Sequence, residues 1–208
     1  MGNPLGLLQA IIYAISSSLL YPVMVLLIVL AAWMVIFAGG FFAEWIGRKR
    51  LKKNVDITQY LSQIQREKEL PESVKMHLPL RVRIYVEKLT SLFQEKDDFF
   101  QEKVETLIQE EEMRLTKEVD RTRLVVRIGP SLGLMGTLIP MGVGLAALGQ
   151  GDIAQMTSSL IIAFTTTVVG LALGILAYFF TTIKGRWVQE DIRDIELITE
   201  AMTREGNK

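Results

Sequence analysis

Threonine hydroxyls are the groups in this sequence best placed to do chemistry, because they stand in apolar surroundings. Thr165, Thr166 and Thr167 are adjacent inside one long apolar stretch, and Thr137 lies in the apolar stretch before it. Thr137 and Thr167 are each fifteen positions from Asp152 (152 − 137 and 167 − 152), so a chain that turns back near Asp152 sets them at similar depth. Neutral hydroxyl oxygens can replace part of a cation's water shell without a large charge penalty. These threonines therefore point to an ion pathway at the level of Thr137 and Thr167.

Two simpler explanations fit the same threonines. A threonine in a membrane helix often donates its hydroxyl to the carbonyl four residues earlier in its own helix. Small residues beside it often serve only to let two helices pack closely. Ion transfer and plain packing both stay open at this point.

The charges are unevenly distributed along the 208 residues, although the formal net charge is zero. Residues 1–43 carry no charged side chain, and Asp152 is the single charge in residues 128–183. A soluble domain spreads its charges over its surface, whereas roughly 20 apolar residues are needed to cross a bilayer as a helix. The sequence therefore predicts an all-α integral membrane protein with three transmembrane helices and long cytoplasmic helices that extend from them.

The predicted organisation alternates membrane spans with segments outside the membrane. The first apolar run is too long for a signal peptide, and no basic segment precedes it. The predicted segments are an extracytoplasmic N-terminal segment (1–19), transmembrane helix 1 (20–43), a cytoplasmic helical region (44–127), transmembrane helix 2 (128–149), an outer turn (150–152), transmembrane helix 3 (153–183) and a cytoplasmic amphipathic tail helix (184–208).

Basic residues predict the orientation of the chain. They flank the predicted spans at residues 48–53, 117–127 and 184–186, whereas the turn between the second and third spans carries only Asp152. Basic residues in short flanking segments tend to stay in the cytoplasm. We expect a multi-pass protein of the cytoplasmic membrane with its N-terminus outside and its C-terminus in the cytoplasm.

Three residues lie at predicted cytoplasmic ends of spans. Trp45 and Trp187 fit the aromatic belt that marks a membrane–water interface. Glu44 is expected to extend to water rather than to serve as a carboxylate of the ion pathway.

Composition excludes several functions. The chain has no cysteine, which excludes thiol catalysis and cysteine-based metal sites, and His77 is its only histidine. Acidic and basic residues alternate in the charged region, so no nucleic-acid partner is indicated. Because no plausible catalytic group accompanies a pocket, we do not expect an enzyme, and no cofactor is predicted.

Small residues recur along the second and third predicted spans. Helices in lipid associate through close packing rather than through the hydrophobic effect, and small residues let their backbones approach. Pro140 also frees a backbone carbonyl and is expected to bend its helix. The residues predicted to pack helices or to face a partner are Pro130, Gly133, Gly136, Pro140, Gly144, Ala163, Gly170 and Gly174.

These two spans resemble the MotA/TolQ/ExbB proton-channel family. The segments "GPSLGLMGTLIP" (129–140) and "AFTTTVVGLALGI" (163–175) match its Pro-x-x-Gly-(Leu)-x-Gly-Thr and Thr-x-x-Gly-Leu motifs. Three spans with a large cytoplasmic region after the first are similar to the TolQ/ExbB arrangement. The matching positions are Pro130, Gly133, Gly136 and Thr137, then Thr167, Gly170 and Leu171.

The resemblance implies a subunit of a rotary motor in a lipid membrane. Such subunits form a homopentamer around a dimer of a single-span ExbD/TolR/MotB-like protein, whose membrane aspartate binds and releases the ion. Flow of H⁺ or Na⁺ would turn the ring around that partner. A subunit without a mid-span carboxylate fits this division, because the partner supplies the charge.

Two positions depart from the family pattern. Ile162 stands where ExbB-like members have a glutamate, and Pro140 stands where a glycine is common. The adjacent Thr166 and Thr167 resemble sodium-driven members. This resemblance implies an ion pathway through Thr137, Thr166 and Thr167 and makes these three residues candidate Na⁺ ligands, so H⁺ and Na⁺ both stay open. A non-conducting oligomeric membrane scaffold, packed through the glycine faces, is the alternative function.

Overall fold

The computed structural model describes residues 4–51, 60–67, 70–95 and 99–203. Parts of the predicted segments 1–19, 44–127 and 184–208 lie outside the described residues, among them Lys52 and Lys53 of the basic cluster. Of the described residues 94% are helical and none forms a strand, which confirms the predicted all-α class.

Helices of very different lengths make up the described chain. Three stretches within it are long and apolar enough to cross a membrane, over Gly6–Arg50, Phe100–Gly149 and Ile153–Thr203. This agrees with the three predicted spans. The helices are α1 (Pro4–Ser18), α2 (Leu20–Leu51), α3 (Leu61–Glu67), α4 (Glu72–Lys75), α5 (Leu80–Glu95), α6 (Phe100–Gly149) and α7 (Ile153–Thr203).

The segment before the first predicted span is helical. Helices α1 and α2 are separated only by Leu19. The Leu19 amide still donates to the Ile15 carbonyl at 3.2 Å, and the Val23 amide donates to the Leu19 carbonyl at 3.1 Å. The backbone therefore passes from α1 to α2 with little loss of helical hydrogen bonding.

A tight turn joins α6 to α7. Gly151 has a φ of 78°, a left-handed conformation that glycine adopts without the steric cost of a side chain. The Asp152 carboxylate then accepts a hydrogen bond from the Gln155 amide at 2.9 Å, so it caps the first turn of α7. The turn sends α7 back along α6, as the position of Asp152 predicted.

The chain divides into two compact units. The apolar unit comprises Met1–Gly39 and Arg121–Thr181, and the charged unit comprises Gly40–Asp120 and Thr182–Lys208. Helices α2, α6 and α7 each contribute residues to both units.

The apolar unit exposes many large hydrophobic side chains. Ile28, Ile36, Phe164 and Ile175 are each more than 60% exposed. So many exposed large hydrophobic side chains are unusual on soluble proteins and are ordinary for a helix in lipid or against another membrane helix. This surface agrees with the membrane spans predicted from composition.

The charged unit has its own hydrophobic core. The tail predicted at 184–208 is not a separate helix, because α7 continues to Thr203. A helix-interior glycine costs only about 1 kcal/mol, so Gly185 does not end a helix whose apolar face is buried beyond it. Fully or nearly buried members of this core include Ile64, Val74, Val82, Tyr85, Leu89, Val188, Ile195, Ile198 and Met202.

One buried hydrogen-bond chain crosses this core. The Thr199 hydroxyl donates to the Ile195 carbonyl at 2.8 Å, and it lies 2.7 Å from the Tyr85 hydroxyl. Since a hydroxyl has one proton, Tyr85 is the donor to Thr199. Burial raises the pKa of Tyr85, which keeps its phenol in the donating form.

Candidate functional site

Helices α6 and α7 touch backbone to backbone inside the apolar unit. A Cβ added to Gly170 would lie 2.6 Å from the Gly133 Cα and 2.7 Å from the Gly129 carbonyl oxygen. A Cβ added to Gly174 would lie 2.6 Å from the Pro130 Cγ. Real Cβ atoms essentially never approach so closely, so no side chain fits at these two positions without displacement. Four residues predicted to pack helices therefore meet at this contact.

The same contact continues toward the α6–α7 turn. A Cβ added to Gly136 would lie 2.6 Å from both Cβ and Oγ1 of Thr166, and one added to Gly144 would lie 3.1 Å from the Ser159 Cβ. Ala163 and Pro140 are fully buried. All eight residues predicted for packing therefore lie at close contacts or buried positions, and Ser159 is a contact that the sequence analysis did not include.

Thr137 and Thr167 meet at the centre of this contact. Their two hydroxyl oxygens are in direct hydrogen-bonding contact. The Gly133 carbonyl oxygen lies 3.0 Å from the Thr137 hydroxyl and 3.3 Å from that of Thr167, and the Ala163 carbonyl lies 3.1 Å from Thr167. The pairing expected from their equal distances to Asp152 is confirmed by this contact.

The geometry of this hydroxyl pair leaves oxygen lone pairs open. Each hydroxyl has one proton to donate and two lone pairs that accept. The two protons of the pair are fewer than the lone pairs of the two hydroxyls, so at least two hydroxyl lone pairs receive no proton from within the pair. Both side chains are partly exposed rather than sealed between the helices. Asp152 is the only carboxylate of residues 128–183. The four oxygens of the site are the two hydroxyls and the Gly133 and Ala163 carbonyls, all of them neutral. Such a group can accept a hydrogen bond or contact a cation, but it cannot neutralise one.

The three consecutive threonines have three different environments. Thr166 is buried, and its hydroxyl lies 2.7 Å from the Gly136 carbonyl of the neighbouring helix. Thr165 is exposed and donates to the Ile161 carbonyl of its own helix at 2.7 Å. Successive helical residues are about 100° apart around the axis, so only Thr167 can face Thr137. The structure brings Thr137 and Thr167 together and sets Thr166 beside them on a separate contact.

A buried ion pair in the charged unit was not found by the sequence analysis. Arg48 donates to both carboxylate oxygens of Asp191, at 2.9 and 2.5 Å, and Asp191 is 1% exposed. The Arg48 guanidinium also lies 5.1 Å from the centre of the Trp187 ring, on which Phe41 stacks. Trp187 is therefore buried among protein groups, and its assignment to an aromatic belt is wrong. Burial disfavours the charged guanidinium, but the Asp191 carboxylate outweighs this and raises the pKa of Arg48.

This ion pair continues into a network of alternating charges. Glu44 contacts Arg48 at 3.2 Å and Arg81 at 3.3 Å, so it forms ion pairs instead of extending freely to water as expected. Glu118 contacts Arg81 at 2.8 Å and Lys184 at 3.2 Å. Burial favours the protonated form of Glu118, but these two cations outweigh it and lower its pKa. Sequence spacing shows Glu44 and Arg48 as neighbours on one helix, but not which distant helix they meet.

Asp194 lies on α7 next to this network. Burial and the charge of Asp191 raise its pKa from the ordinary 3.8 to about 6, with Glu190 adding to the effect and Arg193 and Arg48 opposing it. At neutral pH the ionised carboxylate of Asp194 therefore destabilises the folded state relative to the unfolded chain.

Comparison with known proteins identifies relatives of this chain. The family model described as the MotA/TolQ/ExbB proton channel family matches residues 79–197. A protein of Methanothermobacter thermautotrophicus, named as a biopolymer transport protein ExbB homolog, is 35% identical over 94 residues, which are 44% of this chain. The chain spans about a third of the length of that relative (33%). No solved structure matches the chain. The matched residues 79–197 include the Thr137–Thr167 pair and the α6–α7 glycine contact.

We expect Gly170→Ala to separate α6 from α7, because the new Cβ would meet backbone atoms of Gly133 and Gly129 that cannot move aside. The free energy of unfolding should fall by about 1–3 kcal/mol, the usual cost of overpacking, measured by thermal unfolding in detergent. Gly142→Ala is the matched control, since nothing lies within 4 Å of a Cβ at Gly142. Equal effects of the two substitutions would contradict the close contact.

We expect Asp194→Asn to stabilise the protein more at pH 8 than at pH 5. The folded-state pKa of about 6 lies above the ordinary 3.8, so wild-type stability is lost as the pH rises through this interval and Asp194 ionises. Asparagine does not ionise, so the variant should melt a few degrees higher at pH 8. Exposed Glu196→Gln is the control on the same helix, and a pH-independent effect of Asp194→Asn would refute the assignment.

Proposed function

Because the chain belongs to the MotA/TolQ/ExbB proton channel family, we propose that it is a ring-forming subunit of an ion-driven rotary motor. The family is one of energy-transducing channels that work with ExbD/TolR/MotB-type partners. Five copies of the chain would enclose a dimer of a single-span partner, with the N-terminus outside the cell and the C-terminus in the cytoplasm. Cation flow between ring and partner would turn one against the other.

The Thr137–Thr167 hydroxyl pair carries this proposal. It lies in the apolar unit with two backbone carbonyls close by, and it is partly exposed on the helix pair. A cation that leaves water at this depth needs oxygen ligands, and it needs a negative charge to offset its own. The hydroxyls supply the first, and an aspartate of the partner would supply the second.

The same pair suits H⁺ and Na⁺ for different reasons. A hydroxyl can accept a hydrogen bond from water and donate its own proton to a carboxylate of the partner. It can therefore connect water to that carboxylate for proton transfer. Na⁺ is a hard cation that takes oxygen ligands, and two hydroxyls with the Gly133 and Ala163 carbonyls offer four. We propose that one of these two ions drives the motor, and separate uptake measurements decide which.

The close α6–α7 contact alone also favours a second candidate, a membrane scaffold that oligomerises without moving ions. Glycine contacts of this kind stabilise helix association in lipid whatever the protein does. Both candidates predict a stable oligomer, but only the motor predicts that hydroxyls at residues 137 and 167 matter beyond assembly.

We expect Thr137→Val and Thr167→Val each to lower ion uptake by roughly ten- to hundredfold, because valine keeps the shape of threonine and removes one oxygen that contacts the ion. The measurement uses liposomes that contain the chain and a co-expressed single-span, aspartate-bearing partner. Uptake of H⁺ is followed with an entrapped pH dye, and uptake of Na⁺ with ²²Na⁺.

Thr165→Val is the matched control, because Thr165 is exposed and bonds only its own helix. All variants should form the same oligomer by size and mass. Normal uptake by both Thr137→Val and Thr167→Val would reject the motor and favour the scaffold.

A further inference from the structure

The backbone carbonyl of Gly136 lacks its ordinary helical donor. In an α-helix the carbonyl of residue i accepts from the amide of residue i+4, which here is Pro140. Proline has no amide hydrogen, yet Pro140 is fully buried inside α6, which is helical from Phe100 to Gly149. A buried carbonyl that loses its donor has no water to replace it. Gly136 therefore needs a donor from outside its own helix.

Thr166 of α7 provides that donor. Its hydroxyl lies 2.7 Å from the Gly136 carbonyl, and 2.9 and 3.0 Å from the Ile162 and Ala163 carbonyls of its own helix. The Ile162 and Ala163 carbonyls already receive the helical amides of residues 166 and 167. The single hydroxyl proton of Thr166 therefore stabilises the structure most when it is donated to the Gly136 carbonyl. Gly136 has no side chain to obstruct this approach, since a Cβ there would lie 2.6 Å from the Thr166 Oγ1.

We propose that Thr166 is a positioning residue, which acts through Gly136 and Pro140 to align the Thr137–Thr167 pair. The proposal rests on the function proposed above for that pair. Gly136 and Thr166 immediately precede Thr137 and Thr167 on their helices, so each is displaced from the hydroxyl pair by one helical rise of about 1.5 Å along its axis. It fixes the rotation of α7 against α6 at that level. Without it, the buried Gly136 carbonyl has no donor at position 140, and the restraint beside the hydroxyl pair is lost.

This assignment separates the roles of two adjacent threonines. Thr167 contacts the ion, whereas the hydroxyl proton of Thr166 is committed to the backbone of α6. The need for Thr166 arises from Pro140, because any other residue at position 140 would bring an amide that competes for the Gly136 carbonyl. Substitutions at residues 140 and 166 should therefore be coupled, and those at residues 140 and 167 should not.

The test is a double-mutant cycle between Thr166→Val and Pro140→Ala. Thr166→Val should lower uptake per assembled complex about tenfold and raise the ion concentration that gives half-maximal uptake. Adding Pro140→Ala should restore much of both, because the backbone amide gained at position 140 now bonds the Gly136 carbonyl. The melting temperature of the chain in detergent, measured without partner or ion, should fall for Thr166→Val and recover in the double variant.

Three further variants complete the design. Thr166→Ser keeps the hydroxyl and should behave better than Thr166→Val in both measurements, and Thr165→Val should leave both unchanged. Thr167→Val should keep the same reduced uptake whether residue 140 is proline or alanine. If Pro140→Ala fails to restore uptake to Thr166→Val, the Thr166 hydroxyl acts on the ion directly and the positioning role is wrong.

Failure of the positioning role can be told from failure of the proposed function. Normal uptake by Thr137→Val and Thr167→Val would reject the ion pathway, while the melting temperatures would still test the Thr166–Gly136 bond. An unchanged melting temperature and normal uptake for Thr166→Val would overturn the positioning role even if the pathway holds.

Discussion

The close approach of the α6 and α7 backbones is the constraint on which the site depends. Lipid offers no hydrophobic force between helices, so their association relies on short-range packing and hydrogen bonds. Gly170 against Gly133, and Gly174 against Pro130, remove the side chains that would hold the two axes apart. Only at that separation can threonine hydroxyls of α7 touch α6. The glycines therefore determine where the polar chemistry of the apolar unit can occur.

The two units satisfy their polar groups in different ways. In the apolar unit the polar side chains at the α6–α7 contact are neutral, and the hydroxyls of Thr137, Thr166 and Thr167 lie close to backbone carbonyls. In the charged unit, Arg48, Arg81 and Lys184 alternate with Glu44, Glu118 and Asp191. Removing one partner of a buried ion pair costs far more than the pair itself contributes, so Asp191 and Arg48 depend strongly on each other. The apolar unit thus uses neutral polar groups, as suits a helix pair in lipid, and the charged unit uses ion pairs.

Sequence patterns predicted the helices and the threonine pair because both depend on local spacing. Apolar runs of sufficient length define the spans, and equal distances from Asp152 align Thr137 with Thr167. The Arg48–Asp191 pair was missed because its members are 143 residues apart, and no periodicity in α2 or α7 says which faces meet. Trp187 was misassigned for the same reason: its position at a span end was visible, but its stacking on Phe41 was not. The role of the threonine pair in ion transfer stays a prediction.

The missing amide of Pro140 also has a consequence for biogenesis. The second span is synthesised before the third. The donor to the Gly136 carbonyl is Thr166, which lies thirty residues later in the chain. A lone second span in hydrocarbon would carry an unsatisfied backbone oxygen at its centre, at a cost of several kcal/mol. The second span is therefore lower in energy in hydrocarbon once the third span lies beside it. The three-residue turn at 150–152 keeps that donor close, because it is too short to let the two helices lie far apart.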